Sequence, residues 1–311
     1  METLKVRKLS EELQKKANDE LNEVSENVVE DVKYIREWLK KQQHILIHPD
    51  DQFIVTFLRG CKFNFEKTKE KIDAFYSTKT LIPEYFRNRN PFVQEIQSVL
   101  KSGVYWIPLP KFSDPLAPRL FYQCGKSQQY DMVSTMRVIL MVMDILLHED
   151  DSFIVNGYSV IQYLDGFSSK DLSQISLRML KNSYNSIVNR YPVRLKKFHF
   201  MNLPPSACAI YNILKPFVSQ KIQSRVSFHN TNNFTELHEI YPKKELPIEL
   251  GGDAYSVSEI LDEWKTKIEN NAKWLIENEN LRSDETKRIG KINYDVERFG
   301  VDGSFKKLQI D

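Results

Sequence analysis

The residues best placed to do chemistry in this chain are cations flanking a turn. In YPVRLKKFHFMNLPPSACAIYNILKPFVSQKIQSR, residues 191–225, Arg194 and Lys196 lie two apart on one side of an apolar strand-like run. Lys221 and Arg225 lie four apart, at the spacing that puts two side chains on one helix face. Between the two pairs, after Pro204-Pro205 and a capping Ser206, the residues Ala207, Ile210, Leu214 and Val218 repeat at 3-4-4 spacing. They give a predicted helix over 206–225 an apolar face about three turns long. A greasy helix bracketed by cations suits a movable cover that meets an anionic membrane, where each basic side chain adds about 1 kcal/mol of attraction. The same periodicity equally describes a core helix with surface lysines.

Bond-making chemistry finds less support. The run GYSVI at 157–161 lacks the second glycine of a nucleophile elbow, no GxxxxGK[ST] occurs, and Gly251-Gly252 alone is no phosphate loop. His148, His199, His229 and His238 show no metal-ligand spacing, so each reads as a core or surface histidine. Cys61, Cys124 and Cys208 are far apart, odd in number and without CxxC, which points to neither a disulfide framework nor a zinc site but to a reducing cytosol. Asp165 before Gly166 shapes a turn. No catalytic residue, metal or cofactor is assigned.

Bulk properties narrow the class. Lysine plus arginine number 44 against 42 aspartate plus glutamate, a balance that excludes a dedicated nucleic-acid binder and makes any positive patch local. The N-terminal METLKVRKLSEELQKKA has no apolar signal core. The longest greasy run, 138–147, is interrupted by Asp144 and too short to span a bilayer. A soluble cytoplasmic monomer is expected.

The positioning elements read in order as helices, then alternating strands and helices. Helical spacing covers 10–21, 25–43, 51–59 and 64–79, with Arg59 and Lys62 read as solvent-exposed charges at a helix corner. Proline and aromatics between 81 and 118 mark a domain boundary near Asn90. Short strands are predicted at 105–109 and 120–123. A helix over 134–149 carries the stripe Met136, Ile139, Leu140, Met143 and Leu147, with Arg137, Asp144 and His148 opposite. A strand from 157, a helix over 176–189 and the strand from Arg194 form a strand, crossover helix, strand unit, which implies parallel pairing in a sheet covered by helices. The stretch 246–252 is expected to return the chain to the sheet, and Ser256 to open a helix toward Leu281. A polar tail over 282–311 is read as an appendage packed on the surface.

FLRGCKFNFEKT, IQYLDGF, the strand and helix with LKPF, and LPIELGG occur in the family's order over roughly residues 25 to 280. Together they resemble the CRAL-TRIO lipid-binding domain family, in the branch of α-tocopherol transfer protein and cellular retinaldehyde-binding protein. The resemblance implies an α/β protein with a small all-helical N-terminal lobe (1–90) and a CRAL-TRIO α/β/α domain (91–281). In that domain a mostly parallel sheet encloses a hydrophobic pocket under a mobile helix. It implies cavity walls at Met136, Ile139, Leu140, Met143, Tyr158, Gln162, Ser183, Ser186, Ile187, Tyr191 and Leu195, closed by Ala207, Ile210, Leu214 and Val218. It also implies that Arg194, Lys196, Lys221 and Arg225 meet phosphoinositide headgroups, with Arg59 as an outlying addition.

Two departures bear on the ligand. Tyr158, Gln162, Ser183 and Ser186 stand where the tocopherol-binding member is aliphatic or aromatic. An unpartnered buried amide or hydroxyl costs about 1–3 kcal/mol, so these groups need one another, water or a polar ligand group, which argues against tocopherol itself. Val193 and Ile222 replace the glutamate and threonine with which the phosphatidylinositol-transferring branch holds its headgroup. Phosphatidylinositol in the pocket is therefore not expected. The function implied is an intracellular carrier of one small hydrophobic lipid, with exchange at phosphoinositide-containing membranes and transient peripheral association. Retinoid, carotenoid, sterol, tocopherol, isoprenoid and fatty acid all fit the physics. The alternatives are a phosphoinositide-reading recruitment or regulatory adaptor and, third, a lipid-modifying enzyme.

Overall fold

Local capping chemistry sets the helix starts. In this computed structural model, which describes residues 5–46, 49–124, 131–164, 175–203, 208, 211–213, 215–229 and 234–290, helix α1 (Glu11–Leu21) begins where Ser10 accepts from the Leu13 N–H. Helix α2 (Val28–Lys40) follows, and α3 (Asp51–Gly60) and α4 (Phe65–Leu81) are capped by Asp50 and Asn64. Each such cap satisfies an otherwise orphaned N–H and is worth about 1 kcal/mol. Pro83 occupies the first turn of the short α5 (Pro83–Phe86), where no N–H is needed, and α6 (Gln94–Ser102) leads to the sheet.

Among the described residues five strands stand in sequence order: β1 (Ile107–Pro108), β2 (Arg119–Cys124), β3 (Tyr158–Tyr163), β4 (Leu195–Met201) and β5 (Val226–His229). Only β1 runs antiparallel to its neighbour; the other pairs are parallel. Parallel strands need crossovers. Helices α7 (Met132–Glu149) and α8 (Asp151–Asn156) join β2 to β3. Helix α9 (Leu177–Tyr184), running into a π-helical turn at Asn185–Asn189, lies between β3 and β4. Between β4 and β5 come a helical piece at 211–213, a 3-10 turn at Lys215–Phe217 and α10 (Gln220–Gln223). Helices α11 (Thr235–Ile240), α12 (Val257–Asn270) and α13 (Ala272–Glu277) complete the described chain.

Two features adjust the sheet. Gly157 sits at φ 80°, and a Cβ there would lie 2.3 Å from the Arg194 carbonyl, so only glycine lets β3 start against β4. The β3–β4 register then slips: Tyr158 pairs with Leu195 but Ser159 with Lys197, leaving Lys196 as an extra residue in a bulge.

The buried apolar cluster is continuous from Val32 in α2 through the sheet to Leu275 in α13. At its centre Asp144 accepts from Arg89 (2.8 Å), Arg190 (3.0 Å) and the Tyr191 hydroxyl (2.5 Å). Burial alone would raise that carboxyl, yet Arg190, Arg89 and Lys79 hold it well below the usual carboxylate range. Past α13, Arg288 reaches back to both oxygens of Asp73 in α4 at 2.8 Å.

Several sequence expectations are corrected. Residues 246–252 form no strand; they are turns, including a 3-10 turn at Ile248–Leu250. The sheet gains β5 instead, from residues assigned to no strand. The helix expected over 206–225 is discontinuous in its described part, because Pro216 lacks an N–H and Ser219 recaps α10. Arg225 follows α10 rather than riding on it. Asp144 is core, not the exposed back of an amphipathic helix, since α7 is buried almost all round.

Candidate functional site

The sheet and the helices on one of its faces leave a cavity of about 290 Å³. From β3 it is lined by Tyr158 and Gln162, which share a face by strand alternation, and from β2 by Gln123, the register partner of Gln162. From β4 come Leu195, Phe198 and Phe200, kept on one side by the bulge. Helix α7 contributes Met132, Met136 and Ile139 at 4-3 spacing. Ser183 of α9 and Ile187 of the π-turn form the opposite wall, and Tyr211, Val218 and Ile222 cover it.

The structure thus brings together Met136, Ile139, Tyr158, Gln162, Ser183, Ile187, Leu195 and Val218 of the sequence-derived set. Four others do not line this cavity. Met143 continues the α7 stripe one turn beyond Ile139, and Leu140 is rotated off it; both are packed in the core. Tyr191 turns its hydroxyl to Asp144 and the Leu140 carbonyl. Ser186 is fully buried with its Oγ unpartnered among the described residues. Ala207, Ile210 and Leu214 lie outside the described residues. Sequence reasoning missed Trp106, Gln123, Phe198, Phe200 and Tyr211. The alternation of Phe198 with Phe200 was a usable signal, whereas Gln123 needed the β2–β3 register.

The walls are apolar and aromatic. Phe198 packs on Phe200 at 4.6 Å between ring centroids, and Phe200 stacks on Phe228 at 5.6 Å. Trp106 lies 6.0 Å from the Tyr158 ring. Since Phe228 is 42% exposed, this file of rings leads from the surface to the interior. Among the described lining residues none is Asp, Glu, Lys, Arg or His.

Polar groups are few. Ser183 Oγ donates to the Met179 carbonyl at 2.8 Å, so it satisfies itself. Gln123 Nε2 donates to the Val104 carbonyl at 2.7 Å. Neither the Gln162 amide nor the Tyr158 hydroxyl has a hydrogen-bond partner among the described residues. Burial pushes the Tyr158 hydroxyl well above its usual range, so it stays a neutral donor. Ile222 presents an apolar side chain to the cavity.

Around Leu195, one of the lining residues, three cations share one neighbourhood. Arg194 donates to the Val155 carbonyl at 2.5 Å, and Arg225 donates to the Leu195 carbonyl. Burial, then Arg225, weakens the hold of Arg194 on its proton; burial, then Arg194, does the same for Lys196, with Lys16 and Arg225 adding to it. Lys221 is exposed on α10. Arg59 is elsewhere: it is buried and paired with Glu23 at 2.8 and 3.0 Å, which corrects its reading as an exposed charge and removes it from any membrane face.

Histidines far apart in sequence also meet. His199 Nδ1 and His229 Nε2 are 3.0 Å apart across β4 and β5, and His199 Nε2 is 3.1 Å from the Tyr241 hydroxyl. No group of three or more metal-ligating side chains occurs among the described residues.

Comparison with known proteins agrees with this geometry: residues 116–252, which hold β2 to β5 and most of the cavity wall, match the CRAL/TRIO domain. Over that stretch the chain carries a CRAL/TRIO domain. Residues 24–96 match a second family, the Pinta-like UBA domain. The chain is 28% identical to mouse (Mus musculus) Clavesin-2 over 258 residues, covering 78% of this chain and 75% of the relative. It is also 28% identical to human (Homo sapiens) Alpha-tocopherol transfer protein-like over 252 residues, covering 79% and 71%. Among solved structures, the crystal structure of Sfh5 superposes over 75% of this chain and 85% of that chain, with a TM-score of 0.42 at 12% identity.

Proposed function

We propose that this CRAL-TRIO protein is a carrier that holds one small hydrophobic lipid in the cavity and exchanges it at phosphoinositide-containing membranes. The CRAL/TRIO match over residues 116–252 supports lipid binding and transfer as the class. The observation that carries the reading further is the cavity itself, apolar, uncharged among its described walls and next to a cation cluster. Enclosure hides the ligand's apolar surface from water, worth about 25 cal/mol per Å². At a membrane, phosphates bound by Arg194, Lys196, Lys221 and Arg225 favour an open cover. Only a difference in lipid affinity between open and closed forms can shift that population.

The division into a helical lobe over 1–90, a lipid-binding domain over 91–281 and a tail from 282 belongs to the same proposal, as does transient peripheral association from the cytoplasm by a monomer. Among the described residues no helix is long and apolar enough to cross a membrane.

Replacing all four cations with alanine tests the exchange step. Transfer of a bound fluorescent lipid between anionic liposomes is expected to fall by about tenfold or more, at about 1 kcal/mol per cation, while affinity for that lipid in solution stays within about twofold. Unchanged transfer overturns the gating role. A second reading, a phosphoinositide-reading adaptor, is favoured by the cation cluster, which needs no cargo to bind phosphate. Mass spectrometry of the protein from its native source separates the two: a near-stoichiometric hydrophobic adduct supports the carrier, and an empty protein that still binds liposomes supports the adaptor.

A further inference from the structure

The polar groups of the cavity specify more than its presence. Gln123 and Gln162 are register partners on adjacent parallel strands, and both line it. Adjacent strands stand about 4.8 Å apart, so one small polar group can reach both amides. The Gln123 amide is oriented by its bond to the Val104 carbonyl, which uses one of its two N–H donors and leaves its oxygen without a partner among the described residues. The Gln162 side chain makes no hydrogen bond within the described residues. The pair therefore offers an incoming group an acceptor and one remaining N–H from Gln123 and both donor and acceptor from Gln162, so that only a group that donates as well as accepts satisfies the two amide oxygens.

That pattern discriminates between lipid headgroups. A hydroxyl donates to one amide oxygen and accepts from the Gln162 N–H. An ether or ester oxygen only accepts and leaves the Gln123 oxygen dry. An ionised carboxylate or phosphate also only accepts, and it brings a charge into a cavity with no cation among its described walls, where desolvation goes uncompensated. The volume, about 290 Å³, lies at the low end for small-molecule pockets and suits one chain or a short isoprenoid rather than a two-chain lipid.

We propose that Gln123 and Gln162 form a headgroup clamp for a neutral lipid alcohol of single-chain or short-isoprenoid size. The clamp rests on the carrier reading and narrows it. The file of rings through Phe198 and Phe200 takes the tail, and the two amides hold the hydroxyl.

The test is calorimetric titration of the delipidated full chain at pH 8 with three headgroups on two skeletons. These are farnesol, its methyl ether and farnesoic acid, then hexadecanol, its methyl ether and palmitate. Alcohols are expected to bind about tenfold more tightly than the ethers, with the acids weaker still. Gln162→Leu removes no hydrogen bond made within the described residues, so it is expected to fold. It should erase the alcohol's advantage and leave the ether's Kd within about twofold. Gln162→Asn, which draws the amide back by one methylene, repeats the loss of selectivity should the leucine variant misfold. Equal affinities across the three headgroups, or an undiminished alcohol preference in the Gln162 variants, overturn the clamp and leave the carrier reading standing. Failure of every compound to bind overturns both.

Discussion

Two of the buried groups of polar side chains in this molecule are finished to different degrees. Around Asp144 the charges are paired: Arg89 and Arg190 are fully buried against the carboxylate, and Arg190 also lies over the Phe75, Phe86 and Tyr191 rings at 4.0 to 4.6 Å, although Arg89 Nε and Nη2 have no hydrogen-bond partner among the described residues. Nearby, Lys79 donates to the carbonyl and side-chain oxygens of Asn278. Along the cavity, the Gln162 amide and Tyr158 hydroxyl have no such partners among the described residues. A low-dielectric interior makes paired groups strong and unpaired ones costly. The charge-paired cluster therefore joins α4, α7 and the approach to β4 into one core, and the neutral groups along the cavity are the ones the proposed ligand would pair.

That contrast can be broken by mutation. Asp144→Ala strands two guanidinium groups in the core and is expected to cost about 3–5 kcal/mol in urea denaturation; a loss below about 1 kcal/mol would mean the cluster is far less cooperative than its geometry. An intermediate effect is expected from a third group, at His199. Burial first, then His229 and Lys197, depresses that imidazole from 6.5 to about 4. The folded protein refuses a proton that the unfolded chain accepts. Stability from this site is therefore complete above about pH 6.5 and declines as the pH falls from there toward 4. Urea midpoints measured across that window should slope downward with acid, and His199→Gln should flatten the slope. The smallest effect belongs to the cavity: Gln162→Leu should change stability by less than about 0.5 kcal/mol, since no internal bond is lost. A cost approaching that of Asp144→Ala would place Gln162 in the framework and not in the site.

The sequence announced most of the elements because local chemistry decides them. Ser10, Asp50, Asn64 and Ser256 cap helices as their residue types require, and the β3–helix–β4 unit is parallel as its crossover demands. What stayed hidden depends on partners distant along the chain. Asp144 looked like the polar back of an amphipathic helix because Arg89 and Arg190, its partners, lie 55 and 46 residues away. Arg59 looked exposed until Glu23, 36 residues earlier, came against it. β5 is only four residues long and follows directly on a helix-like stretch, so periodicity had too little length to show it. At the cavity, the family resemblance reached Met136, Ile139, Tyr158 and Gln162, whereas Gln123 depended on which strand lies beside β3.

The bulge in β4 has a consequence for how the strand tolerates change. Lys196 is the residue left over when Tyr158 pairs with Leu195 and Ser159 with Lys197. Deleting it would keep Leu195, Phe198 and Phe200 in phase, because those three already keep step with β3 as though Lys196 were not counted. Deleting Lys197 instead is equivalent only if Lys196 takes its place in the ladder. Deleting Phe198 would turn the rest of the strand over and put His199 on the cavity side in place of the rings. One strand thus combines a segment whose length is fixed by what it encloses with a single inserted position that the ladder itself does not need.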